Sequence, residues 1–242
     1  RPGRRSACAR AALGRTPRRR KSLPPVTPMI SAVRVWADMV KLWHSIFALP
    51  FALTAAFLAG RNLEGRGRPY WGQLGLVILC MVAARSTAMT FNRIVDAAID
   101  ARNPRTAQRP LPAGRLTRGA AIAMLILWAL TFGIACLGFA IWYSNTWPIL
   151  LSGPVLVYLC GYSFTKRFTR WSHFYLGTAI ALSPAAAWLA IHPQSLGFPA
   201  LFLMIAVTTW IGGFDIIYAF QDIDIDRRDG LHSLPSRSGP RA

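Results

Sequence analysis

The segment FNRIVDAAID, residues 91–100, sets Asn92, Asp96 and Asp100 at four-residue intervals directly after a mostly apolar run. At about 100° per residue, positions i, i+4 and i+8 of a helix share one stripe. A second cluster, QDIDIDRRDG from Gln221, follows another apolar run and sets Asp222 and Asp226 at the same interval. Asp215 lies seven residues before Asp222, on the same helical face, whereas Asp224 and Asp229 fall off the stripe and are expected in solvent. Carboxylates four apart on a bare helix repel one another, and near a bilayer desolvation adds to the cost. Such a stripe persists beside a counter-charge. Hard divalent cations prefer carboxylate and amide oxygens, and Mg²⁺ takes one or two carboxylates while water and phosphate oxygens complete its shell. Two facing carboxylate helices therefore suit a diphosphate with metal ions on either side. Asn92, Asp96 and Asp100 would hold one ion, and Asp222 with Asp226 the other. The plainer reading pairs the same acids with neighbouring arginines, Arg93, Arg102 and Arg227. It explains either cluster alone better than it explains two clusters at helix ends on one side of a membrane.

The elements that must position these groups are membrane helices. The chain has 242 residues, 53% of them hydrophobic, and only nine acids. No Asp, Glu, Lys or Arg occurs from residue 119 to 165, nor from 171 to 214. A span needs roughly 20 apolar residues, so each gap holds two helices and a turn, at YSNTWP and HPQSLGFP. Six spans are expected, near 36–60, 71–96, 119–142, 147–166, 173–191 and 200–222, in an all-α polytopic bundle. Arginines crowd the 93–118 connection, the 166–170 connection carries Lys166, Arg167 and Arg170, and the alternate connections at 143–147 and 192–199 are uncharged. Basic loops face the cytoplasm, which puts both acidic clusters on that side of a bacterial inner membrane.

The formal charge of +19 does not indicate nucleic acid, because much of it lies in residues 1–28, an Arg- and Pro-rich stretch without an acid. That stretch reads as a disordered basic segment, either a start placed too early ahead of Met29 or an arm on anionic lipid. Residues 29–242 form the membrane domain. Cys8, Cys80, Cys136 and Cys160 have no metal-like or redox-motif spacing, and the three in apolar runs, Cys80, Cys136 and Cys160, read as small buried hydrophobes.

At the acidic motifs the chain resembles the UbiA superfamily of intramembrane aromatic prenyltransferases. The first motif is similar to N-D-x-x-D-x-x-x-D with Arg93 at the first Asp. The second, YAFQDIDIDRRDG from Tyr218, is similar to YAxQDxxxDxxxG. FALPFAL, NPRTAQRPLPAG and YSFTKRFT also read as family segments, so the resemblance runs from about Val33 to Arg237. It is nearest the 4-hydroxybenzoate branch, and GLHS after the second motif also suggests the branch that prenylates 1,4-dihydroxy-6-naphthoate. The resemblance implies nine helices around a cavity and Mg²⁺-dependent transfer of a polyprenyl group from a polyprenyl diphosphate to an aromatic acid. The sequence ends after SLPSRSGPRA, where the family pattern continues into three more helices, so a truncated domain is expected.

Within that frame Lys166 and Arg167, at the end of the fourth span, are expected to donate to the departing diphosphate, which needs fixed positive donors. Flanking positive-inside charge is the alternative. Tyr162, one turn before Lys166, could add a hydrogen bond or shield an allylic cation. Arg85 lies inside the second span, seven residues before Asn92. A buried guanidinium requires a partner, either the carboxylate of the aromatic acceptor or a bridge to Asp215 or a ladder acid. Among the isolated histidines, His44 is the candidate for substrate contact, and His173 and His232 are expected to be structural. Intramembrane acids also mark cation-coupled transporters, but these show internal repeats and midplane sites, and neither is seen in the sequence. A non-catalytic scaffold is the third reading.

Overall fold

A computed structural model of the chain describes residues 37, 39–40, 48–228 and 230–238. Its helices are α1 (Leu49–Gly60), α2 (Trp71–Val95), α3 (Ala97–Arg102), α4 (Arg118–Tyr143), α5 (Trp147–Thr165), α6 (Ser172–Ile191), α7 (Phe198–Ala219), α8 (Ile223–Arg228) and α9 (Leu234–Ser238). No strand occurs among the described residues. α2, α4, α5, α6 and α7, the last with its 3₁₀ extension to Asp222, are long and apolar enough to cross a membrane. The first expected span, 36–60, is represented by α1 and by helical residues 37, 39 and 40. Residues 1–28 and His44 lie outside the described residues, so neither expectation about them is addressed.

The bundle is built for lipid on the outside. On α4, Ile126, Leu130 and Ile134 point outward at one helical spacing, while Phe132, Ala135, Cys136 and Phe139 are buried. The buried faces favour small residues because lipid tails are as apolar as leucine, so helices associate by close packing rather than by hydrophobic exclusion. Ala52, Ala55, Ala56 and Ala59 of α1 accordingly meet Ala187 and Ala190 of α6. Cys80 and Cys136 behave as expected of small hydrophobes, as free thiols whose sulfurs touch at 3.8 Å between α2 and α4.

The most extensive interface joins α6 to α7. A Cβ at Gly177 would stand 2.5 Å from the carbonyl oxygen of Thr208, and one at Gly212 would stand 3.5 Å from the His173 carbonyl. These glycines let the two backbones close on each other, and that closeness sets the side chains at the ends of both helices. Gly177→Ala is expected to wedge the pair apart and lower stability by about 1–3 kcal/mol, read as a fall in the thermal midpoint in detergent.

Both turns anticipated from the sequence form. Ser144 adopts a left-handed conformation, φ 52°, at the end of α4. Asn145 then donates from its amide to the carbonyls of Leu189 (2.8 Å) and Ala190 (3.0 Å) at the end of α6, where helix carbonyls lack intrahelical donors. The alternation of helix direction brings the last turns of α2, α5 and α7 and the first turn of α6 to one end of the bundle. All the chemistry-bearing groups but Arg85 gather there.

Candidate active site

α2 ends at Asp96, whose backbone (φ −94°, ψ 5°) breaks the helix before α3. The i→i+4 bonding continues across the break, from Asp96 N–H to the Asn92 carbonyl (2.9 Å) and from Asp100 N–H to the Asp96 carbonyl (2.8 Å). The three side chains nevertheless part. The Asn92 amide donates to Asp96 Oδ2 at 2.8 Å and to Ser163 Oγ of α5 at 3.4 Å, which leaves Asn92 Oδ1 as its cation-binding atom. Asp96 Oδ1 accepts from Arg167 at 3.0 Å. Asp100 is buried, with both carboxylate oxygens 2.6 Å from Arg109 Nη1 and with Arg93 at 3.8 Å. Of the three, Asn92 and Asp96 touch each other, and Asp100 pairs with arginines.

Asp100 and Arg109 fasten the connection after α3 to the end of α2. Arg109→Ala would leave a buried carboxylate with only the more distant Arg93, and breaking a buried pair in this way is worth about 3 kcal/mol. A lowered thermal midpoint is expected, with Arg109→Lys recovering part of it.

The second motif docks onto the same connection. Its chain leaves α7 through a 3₁₀ turn, Phe220–Asp222, into α8. Asp222 forms a two-pronged pair with Arg105, through Nε at 3.0 Å and through a closer Nη2 contact, and it accepts from Asn103 at 3.5 Å. Asp226 is buried, interacts with Ser233, and leaves Oδ2 without a hydrogen-bond partner among the described residues. Asp224 is exposed, as its position off the stripe implied.

Lys166 caps the end of α5 between the two motifs. The Tyr162 phenol beside it, and then Asp215, Asp226 and Asp222, hold its ammonium well above the ordinary lysine range against the opposing effect of burial. Burial pushes the carboxyls of Asp96 and Asp226 up from the usual aspartate range, against Arg167 for the first and against Ser233 and Lys166 for the second. A desolvated carboxylate is relieved by more positive charge. Among the described residues no group of three or more His, Cys, Asp or Glu is preassembled around one point. Mg²⁺ does not require one, since it binds through one or two carboxylates plus phosphate oxygens. The orphaned Asp226 Oδ2, the Asn92 amide oxygen and the hard-oxygen donor set fit that ion.

Asn92 and Tyr162 connect this end of the bundle to an apolar cavity of about 260 Å³, near the lower end of the roughly 300–1,000 Å³ of small-molecule pockets. Asn92 and Tyr162 line its polar end, and Val77, Met81, Phe132 and Leu151 are among its apolar walls. Arg85 also lines it, two helical turns or roughly 10 Å from Asn92, and its Nε is buried without a hydrogen-bond partner among the described residues. The alternative bridge to Asp215 is not made, because Asp215 takes His173 instead, at 2.7 Å.

Of the expected site residues the structure therefore gathers Asp96, Asp222, Asp226, Tyr162 and Arg167 around Lys166 or its neighbours, and sets Asn92, Tyr162 and Arg85 in the cavity wall. Sequence reasoning gave no site role to Asn103, Arg105 and Arg109, which sit in the NPRTAQRPLPAG segment; that stretch reads as a family segment, and its arginines as positive-inside charge. It also missed Ser163 and the His173–Asp215 pair, which are far apart in the chain and carry no spacing signal.

The fold and site define a helical membrane protein in which both acidic motifs lie within electrostatic reach of Lys166 at one end of the bundle, beside an apolar cavity. The family model described as UbiA prenyltransferase family matches residues 44–242, and the chain belongs to that family. It is 33% identical over 195 residues to the 4-hydroxybenzoate octaprenyltransferase of Dechloromonas aromatica (strain RCB), covering 80% of this chain and 60% of that protein. With the enzyme of the same name from Vibrio parahaemolyticus it shares 29% over 198 residues, covering 81% and 63%. The chain thus spans about 60% of the length of these relatives. Its fold matches the apo structure of a UbiA homolog from Aeropyrum pernix K1 with a TM-score of 0.71 and 31% identity, over 82% of this chain and 70% of that one. It also matches a UbiA homolog from Archaeoglobus fulgidus bound to GPP and Mg²⁺, with a TM-score of 0.66 and 17% identity over 85% and 70%.

Proposed function

We propose that this chain carries the active site of a membrane prenyltransferase that moves a polyprenyl group from its diphosphate to a ring carbon of an aromatic acid such as 4-hydroxybenzoate. One observation carries the reading: Asp96 of the first motif and Asp222 and Asp226 of the second lie within electrostatic reach of Lys166, one turn from Tyr162, which lines a cavity that also holds Arg85, unpartnered among the described residues.

Asn92 with Asp96 would hold one Mg²⁺, and Asp222 with Asp226 a second. Asp100, the expected third member of the first set, supports it by fixing Arg93 and Arg109. Bound Mg²⁺ neutralises a diphosphate and makes it a better leaving group. Lys166 is a fixed donor to diphosphate oxygens. Arg105 and Arg167, which hold Asp222 and Asp96 here, are the further donors that a diphosphate would draw off those carboxylates. The allylic C–O bond breaks with its electron pair leaving on the diphosphate, a ring carbon of the acceptor forms the new C–C bond, and the ring then releases its proton to water. Tyr162 stands between cavity and diphosphate site and offers its electron-rich face to the allylic cation. Arg85 clamps the acceptor carboxylate, which answers the desolvated guanidinium. The apolar walls take the isoprenoid tail, and the acidic end faces the cytoplasm because the arginines and lysine gather there.

The test uses the full-length protein in membranes, a labelled polyprenyl diphosphate, and 4-hydroxybenzoate or 1,4-dihydroxy-6-naphthoate, with and without Mg²⁺. Transfer to one of these acids is expected only when Mg²⁺ is present, and chelation should stop it. A cation-coupled transporter would instead bind metal without any joint requirement for diphosphate, and that result would overturn the reading.

A further inference from the structure

His173 sits in the first turn of α6 with no exposed surface. A buried imidazole with both nitrogens engaged holds whatever it bonds. Its Nδ1 lies 2.7 Å from Asp215 Oδ2 of α7, and its Nε2 accepts from the backbone N–H of Leu234 at 3.2 Å. An Nε2 that accepts a hydrogen bond carries no proton, so the ring is the neutral tautomer with Nδ1–H donating to Asp215. Each bond leads to a group in the site. Asp215 acts electrostatically on Lys166 and Tyr162. Leu234 begins α9, and the segment before it is stitched down residue by residue. His232 N–H donates to the Lys166 carbonyl at 2.7 Å, Ser233 interacts with Asp226, and Ser233 and Ser236 cap one another reciprocally at 3.3 and 3.1 Å.

We propose that His173 is a positioning residue that holds Asp215 in place on α7 and latches the 231–236 segment, with Ser233, onto Asp226. It touches no substrate and acts through the two groups it bonds. The proposal rests on the function argued above for the part played by Lys166 and Asp226, whereas the latch itself stands on the geometry.

Two conservative variants separate the two bonds. His173→Asn keeps a donor near the Nδ1 position and loses the acceptor for Leu234. His173→Gln places an acceptor near Nε2 and loses the donor to Asp215. In full-length protein, His173→Phe is expected to lower kcat about 10- to 100-fold, the usual consequence of losing a group that orients a ligand, with KM for the aromatic acid unchanged. His173→Asn should recover most of kcat. Asp215→Asn should resemble His173→Phe, and the double variant should be no slower than the slower single one. Amide hydrogen exchange supplies a readout independent of turnover: Leu234 should exchange faster in the Phe and Asn variants and stay protected in the Gln variant. Wild-type kcat in His173→Phe, multiplied losses in the double variant, no advantage of Asn over Phe, or unchanged Leu234 exchange in His173→Phe would each overturn the proposal. If the unaltered protein transfers nothing, the functional reading fails, and the exchange pattern still decides the latch.

Discussion

Asp222→Ala, made in the full-length protein, is expected to reduce transfer by about 10³-fold or more. Removing a single neutral donor to a developing oxyanion already costs about 10²–10³ in rate, and Asp222 supplies a whole charge. In this structure its carboxylate faces Arg105 and Asn103 and lies within electrostatic reach of Lys166. The substitution therefore deletes a proposed cation ligand and unties Arg105 together. Its effect on stability should be small, within about 1 kcal/mol, because the Arg105 side chain is 35% exposed and such pairs are screened by solvent. Asp96→Ala should behave alike from the opposite side. Single-turnover transfer at saturating polyprenyl diphosphate, titrated with Mg²⁺, reads the effect beside the thermal midpoint. Normal turnover with a normal midpoint in either variant would refute the assignment of the acidic motifs.

Arg85→Ala should have the next largest consequence, and on a different quantity. Truncating one partner of a buried charged pair costs about 2–5 kcal/mol, so KM for the aromatic acid should rise by about 10²- to 10³-fold. Binding of the polyprenyl diphosphate with Mg²⁺ should not change, since Arg85 lines the cavity two helical turns from Asn92 and none of the acidic groups is among its lining residues. Arg85→Lys should recover little, because an ammonium cannot reproduce the two-pronged fit of a guanidinium to a carboxylate. Arg85→Met separates this role from a structural one. With its Nε buried and unpartnered among the described residues, the side chain burdens the empty protein, and an apolar replacement should hold or raise the thermal midpoint. A falling midpoint with an unchanged KM would mean that Arg85 serves the fold.

The acidic motifs show where chain-local information stops. Asn92 and Asp96 share a helical face, and their contact in the structure is the one their spacing implies. Asp100 has the same spacing, yet it is held away by Arg109 and Arg93, because α2 breaks at Asp96 and the connection after α3 folds back over it. Asp222 likewise takes Arg105, more than a hundred residues away, in place of the neighbouring Arg227, whose guanidinium reaches the Ser236 carbonyl. Neither exchange leaves a mark in any helical periodicity.

His173 makes the same point from the opposite direction. A lone histidine without a spaced partner reads as structural, and its two bonds, to Asp215 and to Leu234, join segments that only the close packing of α6 on α7 brings together.

By itself the sequence determined the membrane bundle, the end of it that carries the charges, and the residue types able to hold a diphosphate. Those properties follow from composition and from periods of a few residues, which act along the chain. Tertiary structure alone decided which arginine answers which carboxylate, that Arg85 lines the cavity with no partner among the described residues, and that the segment after the second motif is tied to Lys166 and His173. Such pairings depend on which helix ends arrive together, and that is settled by glycine-sized gaps and packed alanines far from the charges themselves.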